Sequence, residues 1–473
     1  MQNIDAIGRA VETKKAPFIA LSDRIWDTPE IRYHETAATA SQIAALEDQG
    51  FRVTRDIAGI PTAFMGEAGS GGPVIAILGE LDALAGLSQE SGVAEPRPIV
   101  KGGNGHGCGH NLLGTASLLA AAVVKDHLAA HGLPGTVRYY GCPAEEGGSG
   151  KTFMARAGAF KDVDAVLTWH PWLFNGIMCV RSLANVQAFF RFRGRAAHAA
   201  GCPELGRSAL DAVELMSVGV QYMREHMPSE ARIHSAITQT GGISPNVVQA
   251  DAAVLYLVRS PEIDDVWTLF ERVKRIAGGA AMMTDTTVEV EIDRACSNLL
   301  PNTALESAMH ANLRRFGPPP FDDADYAFAR QIQATLTEAD LAFPYKSYGL
   351  DRRDPRPLHS AIAEYDGEPW FLPGSTDVGD ISWLAPTAQC LTACHAIGTP
   401  GHSWQLVAQG KLPLAHKGMV LAAKILAATA LDALTDADLL RRAKAEHAER
   451  TAARPYRCPI PDDVVAPCHR AAP

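Results

Sequence analysis

The sequence predicts an α/β fold: a mostly parallel sheet flanked by helices, interrupted by an inserted ferredoxin-like α+β unit. Three observations carry that prediction. PVIAILGE at 73–80, TVRYYGC at 136–142 and VDAVLTW at 163–169 are short continuous apolar runs, the pattern of strands buried on both faces. Helical segments at 111–129 and around 150–158 lie between them, and strands alternating with helices build a parallel sheet. From 186 to 296 the pattern changes to half-exposed strands in the order β-α-β-β-α-β. The chain thus divides into one domain of residues 1–185 plus 297–473 and a second of residues 186–296.

Taken in order, residues 3–50 have helical apolar spacing with a break at Pro29, and 51–69 alternate as a strand does. In the insert, VQAFFRFR at 186–193 places Val186, Ala188, Phe190 and Phe192 on one face, and the next helix carries Leu210, Val213, Met216, Val220 and Met223 as one stripe. RIHSAIT and AAVLYLV are the two middle strands. Ser260-Pro261-Glu262 reads as a cap, a first-turn proline and an acidic first turn opening the second helix. TTVEVEID closes the unit with Val288, Val290 and Ile292 inward. Beyond 297, RRFGPPPFDD reads as a loop, YAFARQIQATL as a helix, 346–369 as polar and irregular, and KGMVLAAKILAATALDAL as an apolar helix. The tail after about 438 is charged and then Pro-rich, a terminal helix followed by a surface segment.

With 473 residues, the chain is long enough for large cores, and a net charge of −10 argues against nucleic acid as a main partner. The opening MQNIDAIGRAVETKK lacks the apolar core of a signal peptide, and no run reaches the roughly eighteen apolar residues of a membrane span. Nine cysteines, an odd number scattered over a long chain, are not a disulfide framework and point to a reducing cytoplasm.

The chemistry collects after the carboxyl ends of the predicted buried strands, the edge where open α/β sheets bind ligands. Glu80 and Asp82 end the first run, Glu145 and Glu146 follow the second, and His170 ends the third. NGHGCGHNLLGT at 104–115 adds His106, Cys108 and His110 just before a helix, and His402 sits in the turn GTPGHSW. Cys108, His110, Glu146, His170 and His402 form a mixed sulfur, nitrogen and oxygen donor set. It is too large for one tetrahedral site with an open position, and two ions sharing a bridging ligand fit it better. Zinc and manganese are both compatible with such donors. Adjacent glutamates in extended chain point in opposite directions, so one of Glu145 and Glu146 can bind metal while the other stays free as a general base. His106 reads as a supporting rather than ligating residue, and Cys142, Cys390 and Cys394 as buried, inert thiols.

Together the stretches GELDALAGLSQ, GHGCGHNLLGT, CPAEEGGSGK, TWHP, GRAAHAA, SPNVVQADA, GSTDVGDISW and GTPGHSW resemble the di-metal aminoacylase and carboxypeptidase G metallopeptidase family, in its p-aminobenzoyl-glutamate hydrolase branch. The resemblance runs from residue 80 to 404. It implies a di-metal hydrolase domain with a lid and dimerisation insert, two divalent ions, and no nucleic-acid or membrane partner. It implies that Cys108 bridges both ions, that His110, Glu146, His170 and His402 are the other ligands, that Glu145 is the general base, and that Asp82 supports the metal cluster. His198 matches a histidine that reaches the site of a second protomer and stabilises the oxyanion. Asn246 and Arg259 match substrate-contacting residues. Asn111 stands where many relatives have Asp, a difference of branch rather than of metal binding.

The expected activity is metal-dependent cleavage of the amide of an N-acyl or N-aroyl amino acid, in a homodimer or a hetero-oligomer. The rival readings are a hydrolytic deaminase of an aromatic amine, a dipeptidase of β-alanyl-lysine type, and a non-catalytic metal-binding component of a mixed assembly.

Overall fold

The computed structural model describes residues 4–351 and 356–468. Residues 352–355 of the stretch read as irregular, and 469–473 of the Pro-rich tail, lie outside the described residues. The chain opens with α1 (Ile4–Asp27) and α2 (Thr36–Asp48), then β1 (Arg52–Thr54), β2 (Phe64–Ser70), β3 (Val74–Glu80), α3 (His110–His131), β4 (Gly135–Cys142), α4 (Gly150–Arg156) and β5 (Ala165–Trp172). Short strands β6 (Gly176–Ile177) and β7 (Val180–Arg181) follow. After them come β8 (Ala184–Arg193), α5 (Ala209–Arg224), β9 (Arg232–Gln239), β10 (Asp251–Ser260), α6 (Ile263–Thr284) and β11 (Thr287–Cys296). The chain ends with α7 (Thr303–Phe316), α8 (Asp323–Gln333), α9 (Glu338–Ser347), β12 (Trp370–Phe371), α10 (Val378–Ser382), β13 (Thr387–Ala393), α11 (Trp404–Gln409), α12 (Pro413–Thr435) and α13 (Ala437–Thr451).

Seven strands form the larger sheet in the order β1-β2-β4-β3-β5-β13-β6. Its four central strands, β4, β3, β5 and β13, run parallel, and the outer pairings are antiparallel. Both faces are covered, which is why the runs are continuously apolar. Ile75 and Ile77 of β3 belong to the core built with α1, α3 and α12, while Ala76 and Leu78 point to the other face, with Phe153 of α4 and Val378 of α10. α3 and α12 reach the length and apolar composition of a membrane span, although neither holds an uninterrupted apolar run of that length. In the fold, 78% and 83% of their apolar windows are buried inside the protein.

The second sheet is antiparallel in the order β11-β8-β10-β9, the topology expected of the insert. Phe190 of β8 pairs with Val254 of β10 and Val290 of β11, over a core that includes Val213 and Met216 of α5 and Val266 and Phe270 of α6. Its strands are not uniformly half-exposed. β8 is central and largely buried, whereas β9 is an edge strand exposed at every residue but Ile233.

Some local expectations fail. Ser260 ends β10 rather than capping α6, which begins at Ile263 behind Glu262 with no side-chain cap. The ladder to β8 claims Ser260 first, through its pairing with Ala184. The apolar pattern also misses α7 and α9. In α9, Thr337 and Asp340 make a capping box in a stretch with a proline inside, and that local bonding starts a helix without a clear apolar stripe.

Candidate metal centre

All four parallel strands deliver their carboxyl ends to one edge. β3 ends at Glu80, two residues before Asp82. β4 leads into a turn holding Glu145 and Glu146, β5 carries His170, and the loop after β13 carries His395 and His402. α3 begins at His110 on this edge, after Gly109 at φ 85°. A side chain at Gly109 would take a strained backbone and bring its Cβ to 2.7 Å of the Pro171 ring, so glycine is needed for Cys108 and His110 to close on β5.

The donor atoms fall into two groups that share one thiol. Cys108, His110 and His170 form one, and Cys108, Glu146 and His402 the other, with all ligand atoms of each group within 4.8 Å of one another. Cys108 Sγ is 3.4 Å from His170 Nε2, and Glu146 Oε2 is 3.3 Å from His402 Nε2. The histidines are oriented from behind. His110 Nδ1 donates to the Asp82 carbonyl at 2.9 Å and lies 3.1 Å from its carboxylate Oδ1, and His170 Nδ1 donates to the Pro171 carbonyl at 2.8 Å. Each Nε2 is thereby left with its lone pair toward the cluster. Asp82 Oδ2 also accepts the Glu146 N–H at 2.8 Å, so one carboxylate positions a member of each group.

The residues fit divalent cations. Glu146 Oε1 is buried without a hydrogen-bond partner among the described residues, and His110 Nε2 faces the Glu80 carboxylate at 3.1 Å. Burial, followed by Glu80 and Glu146, holds the Glu145 carboxyl well above the usual range, and burial followed by Glu146 does the same to the Cys108 thiol. Cations at the shared thiol would relieve that repulsion and ionise the thiol. The backbone is strained here too. Ala144 (φ 60°), Ser149 (φ 55°) and His402 (φ 55°) are left-handed without being glycine, at a cost of about 1–2 kcal/mol each.

Glu145 and Glu146 do diverge, but not because the chain is extended. They sit in a turn closed by Gly148 N–H to the Ala144 carbonyl at 2.9 Å. That turn sends Glu146 to Cys108 and His402, and Glu145 to a third group with Glu80 and His110. Behind it lies a network that no sequence pattern announced. Lys151, fully buried, places Nζ 2.7 Å from Glu80 Oε1 and 2.6 Å from Asp377 Oδ1, and its N–H donates to Asp377 Oδ2 at 2.9 Å. Burial favours a neutral Glu80, but Lys151 and His110 outweigh it and hold its carboxyl low. Glu35 is a further buried carboxyl, pushed up to about 8 by burial and by Asp82, with Oε1 accepting the Ala144 N–H at 2.8 Å. Glu80 was marked by its place at a strand end, Lys151 and Asp377 only by lying within the matching stretches, and Glu35 by no signal in the sequence. His106 is buried, bonded through Nε2 to the Ile25 carbonyl at 3.1 Å, and outside all three groups.

The insert's candidates are not in the cluster. His198 is exposed, its Nδ1 accepting the Ala200 and Gly201 N–H groups, and Asn246 is exposed beside it, its carbonyl accepting the Ala199 N–H at 3.0 Å. Arg259 is half-buried, 3.4 Å from Ser375 Oγ, and its pKa is lowered by burial and by Arg294 while Glu145 acts in the opposite sense. Arg259 and Arg294 each keep a buried Nε without a partner among the described residues.

Residues 76–351 match the model of the Peptidase family M20/M25/M40. The chain belongs to this peptidase family. The M20 chain is 52% identical over 469 residues to a subunit of the p-aminobenzoyl-glutamate hydrolase of Escherichia coli (strain K12), covering 97% of each chain. Among solved structures, an aminobenzoyl-glutamate utilization protein from Klebsiella pneumoniae aligns with a TM-score of 0.60 at 18% identity, covering 91% of this chain and 98% of that one. A dinuclear metal-binding M20 peptidase from Bacillus subtilis aligns with a TM-score of 0.54 at 20% identity, covering 89% and 99%. The M20 assignment makes this chain a hydrolase, as its donor set suggests, and its fold is that of the family.

Proposed function

We propose that the protein is a two-metal amidohydrolase that cleaves the amide of N-acyl or N-aroyl amino acids, p-aminobenzoyl-glutamate foremost. The observation that carries this reading is Cys108 shared by two ligand groups, with the carboxylate of Glu145 outside both and beside them. The substrate follows from the name of the relative that matches over nearly the whole chain.

Cys108, His110 and His170 would hold one ion and Cys108, Glu146 and His402 the other, zinc or manganese. When bound, the ions supply Lewis acidity to the scissile carbonyl and to the attacking water. Glu145 takes the proton from that water and delivers it to the leaving amine. Asp82 holds His110 in the ligating tautomer. Arg259, joined by Arg294, offers positive charge to the substrate's carboxylate, and Asn246 a polar contact.

Residues 186–296 serve as a lid and dimerisation unit on a catalytic domain of 1–185 plus 297–473. His198, exposed on that unit, stabilises the oxyanion in the site of a second protomer. The assembly is a homodimer, and the word "subunit" in the relative's name makes a mixed assembly the alternative to test. Nine free cysteines agree with a reducing cytoplasm.

The test is glutamate release from N-acyl and N-aroyl glutamates by metal-reconstituted protein, with metal content by mass spectrometry. Two ions per chain, falling to one or fewer in Cys108→Ala, are expected. Ammonia without released amino acid, or two ions retained at full occupancy in Cys108→Ala, would refute the reading.

A further inference from the structure

Beside the centre is a cavity of about 310 Å³ whose walls include Cys108, His170 and His402 and, farther out, Trp172, Phe343 and Tyr348. That volume is at the lower end of small-molecule sites, about 300–1,000 Å³. The aromatic rings are ordered against one another. Trp172 packs edge-on to His170 at 5.5 Å between centroids and to Tyr348 at 6.0 Å, and Phe343 packs edge-on to Tyr348 at 5.7 Å. Phe343 is 53% exposed, so an aromatic face stands open at this wall. Phe343 comes from α9.

Two residues that line this cavity each keep a buried polar atom unspent. His395 is buried, and one ring nitrogen donates to the Trp172 backbone. Its Nε2 has no partner among the described residues, and neither has the buried Trp172 Nε1. A neutral imidazole that donates through Nδ1 has only a lone pair at Nε2, so this atom is a fixed acceptor that lacks a donor. Leaving it unmet costs about 1–3 kcal/mol unless a ligand meets it.

We infer that this cavity is the acyl subsite, that Trp172, Phe343 and Tyr348 hold a planar aromatic ring there, and that His395 Nε2 selects rings bearing an N–H or O–H donor. The inference deepens the proposed N-aroyl amidohydrolase reading and rests on it. A 4-aminobenzoyl group has both features, while an acetyl group has neither. Recognition here is by a pocket that discriminates against the analogue lacking a donor, because its buried acceptor would stay unpaired.

The test compares kcat/KM for 4-aminobenzoyl-, 4-hydroxybenzoyl-, 4-methoxybenzoyl-, benzoyl- and acetyl-glutamate on metal-reconstituted protein. The wild type should favour the two donor-bearing rings over benzoyl by about tenfold or more, one hydrogen bond's worth. His395→Leu should collapse that ratio, and His395→Gln, which keeps an acceptor, should restore part of it. Phe343→Ala with Tyr348→Ala should raise KM for every aroyl substrate about tenfold and change acetyl-glutamate by less than about threefold. Binding of 4-aminobenzoate against benzoate to chelated protein, by calorimetry, reads the pocket without catalysis and should favour the amine. Equal affinities, or an unchanged ratio in metal-replete His395→Leu, would overturn the inference. If no N-acyl glutamate is cleaved but 4-aminobenzoate binds selectively, the hydrolase reading fails and the pocket assignment stands. Should the His395 variants not fold, the wild-type substituent series decides alone, and indifference to the donor defeats it.

Discussion

The parallel sheet's edge and the antiparallel sheet of the insert treat their polar residues in opposite ways. At the edge, Asp82, His110, Lys151 and Asp377 are buried and tied to one another by named hydrogen bonds and ion pairs. On the insert, His198 and Asn246 are exposed, with His198 Nδ1 accepting two backbone N–H groups and the Asn246 carbonyl accepting a third. A buried set fixes geometry in advance, since each group has one place where its charge is compensated. An exposed set can be completed by a second molecule. The contrast teaches that the geometry of the edge is finished by folding, whereas the insert's candidates stay open to solvent.

The largest effect should come from removing the one edge residue assigned to chemistry rather than to the scaffold. Glu145→Gln should lower kcat by about 10²–10⁴ with metal content and Tm unchanged. Loss of metal instead would move Glu145 into the ligand set. On the other side of the contrast, His198→Ala should cost about 10²–10³ in kcat with both ions retained. Mixing it with Glu145→Gln should recover activity through hybrid dimers, and no recovery would place His198 in its own chain's site. Asp82→Asn tests support from within the edge. Metal affinity should fall about 10–100-fold while the apo protein stays folded, measured by competition with a chelator.

The smallest effect belongs to the seam between the two regions. Asp380 accepts from Thr152 at 2.6 Å, Ser297 Oγ at 2.8 Å and Tyr456 at 3.1 Å, and burial raises it to about 6. The folded state keeps a proton that the unfolded chain, near 3.8, releases. Its contribution to stability is therefore full below pH ~4 and lost as pH rises through about 6. Asp380→Asn should remove that component of the pH dependence of Tm, a few degrees between about pH 5 and 7. Parallel wild-type and variant curves would show that the carboxyl is ionised throughout.

The candidate ligands Glu146 and His170 were legible because they follow runs whose two-sided burial is written in their composition, Cys108 and His110 because they are Gly-spaced before a helix signal, and His402 because it sits in a Gly/Pro turn. Lys151 was not. A lysine after glycines reads as solvated surface, and only the fold shows that α4 buries it between Glu80 and Asp377. α9 was hidden for a related reason. Its start is set by a capping box, and its Phe343 packs on Tyr348, just past the helix end, which in turn packs on Trp172, far away in sequence.

By itself the sequence determined the alternation of buried strands and helices, the β-α-β-β-α-β insert and the identity of the candidate ligands, because local periodicity and residue chemistry encode all three. The tertiary structure decided which donors share Cys108, that a turn rather than extended chain separates Glu145 from Glu146, and that the aromatic wall stands beside the centre. Those depend on approach between residues far apart in the chain, where burial and charge compensation, not local pattern, select the arrangement.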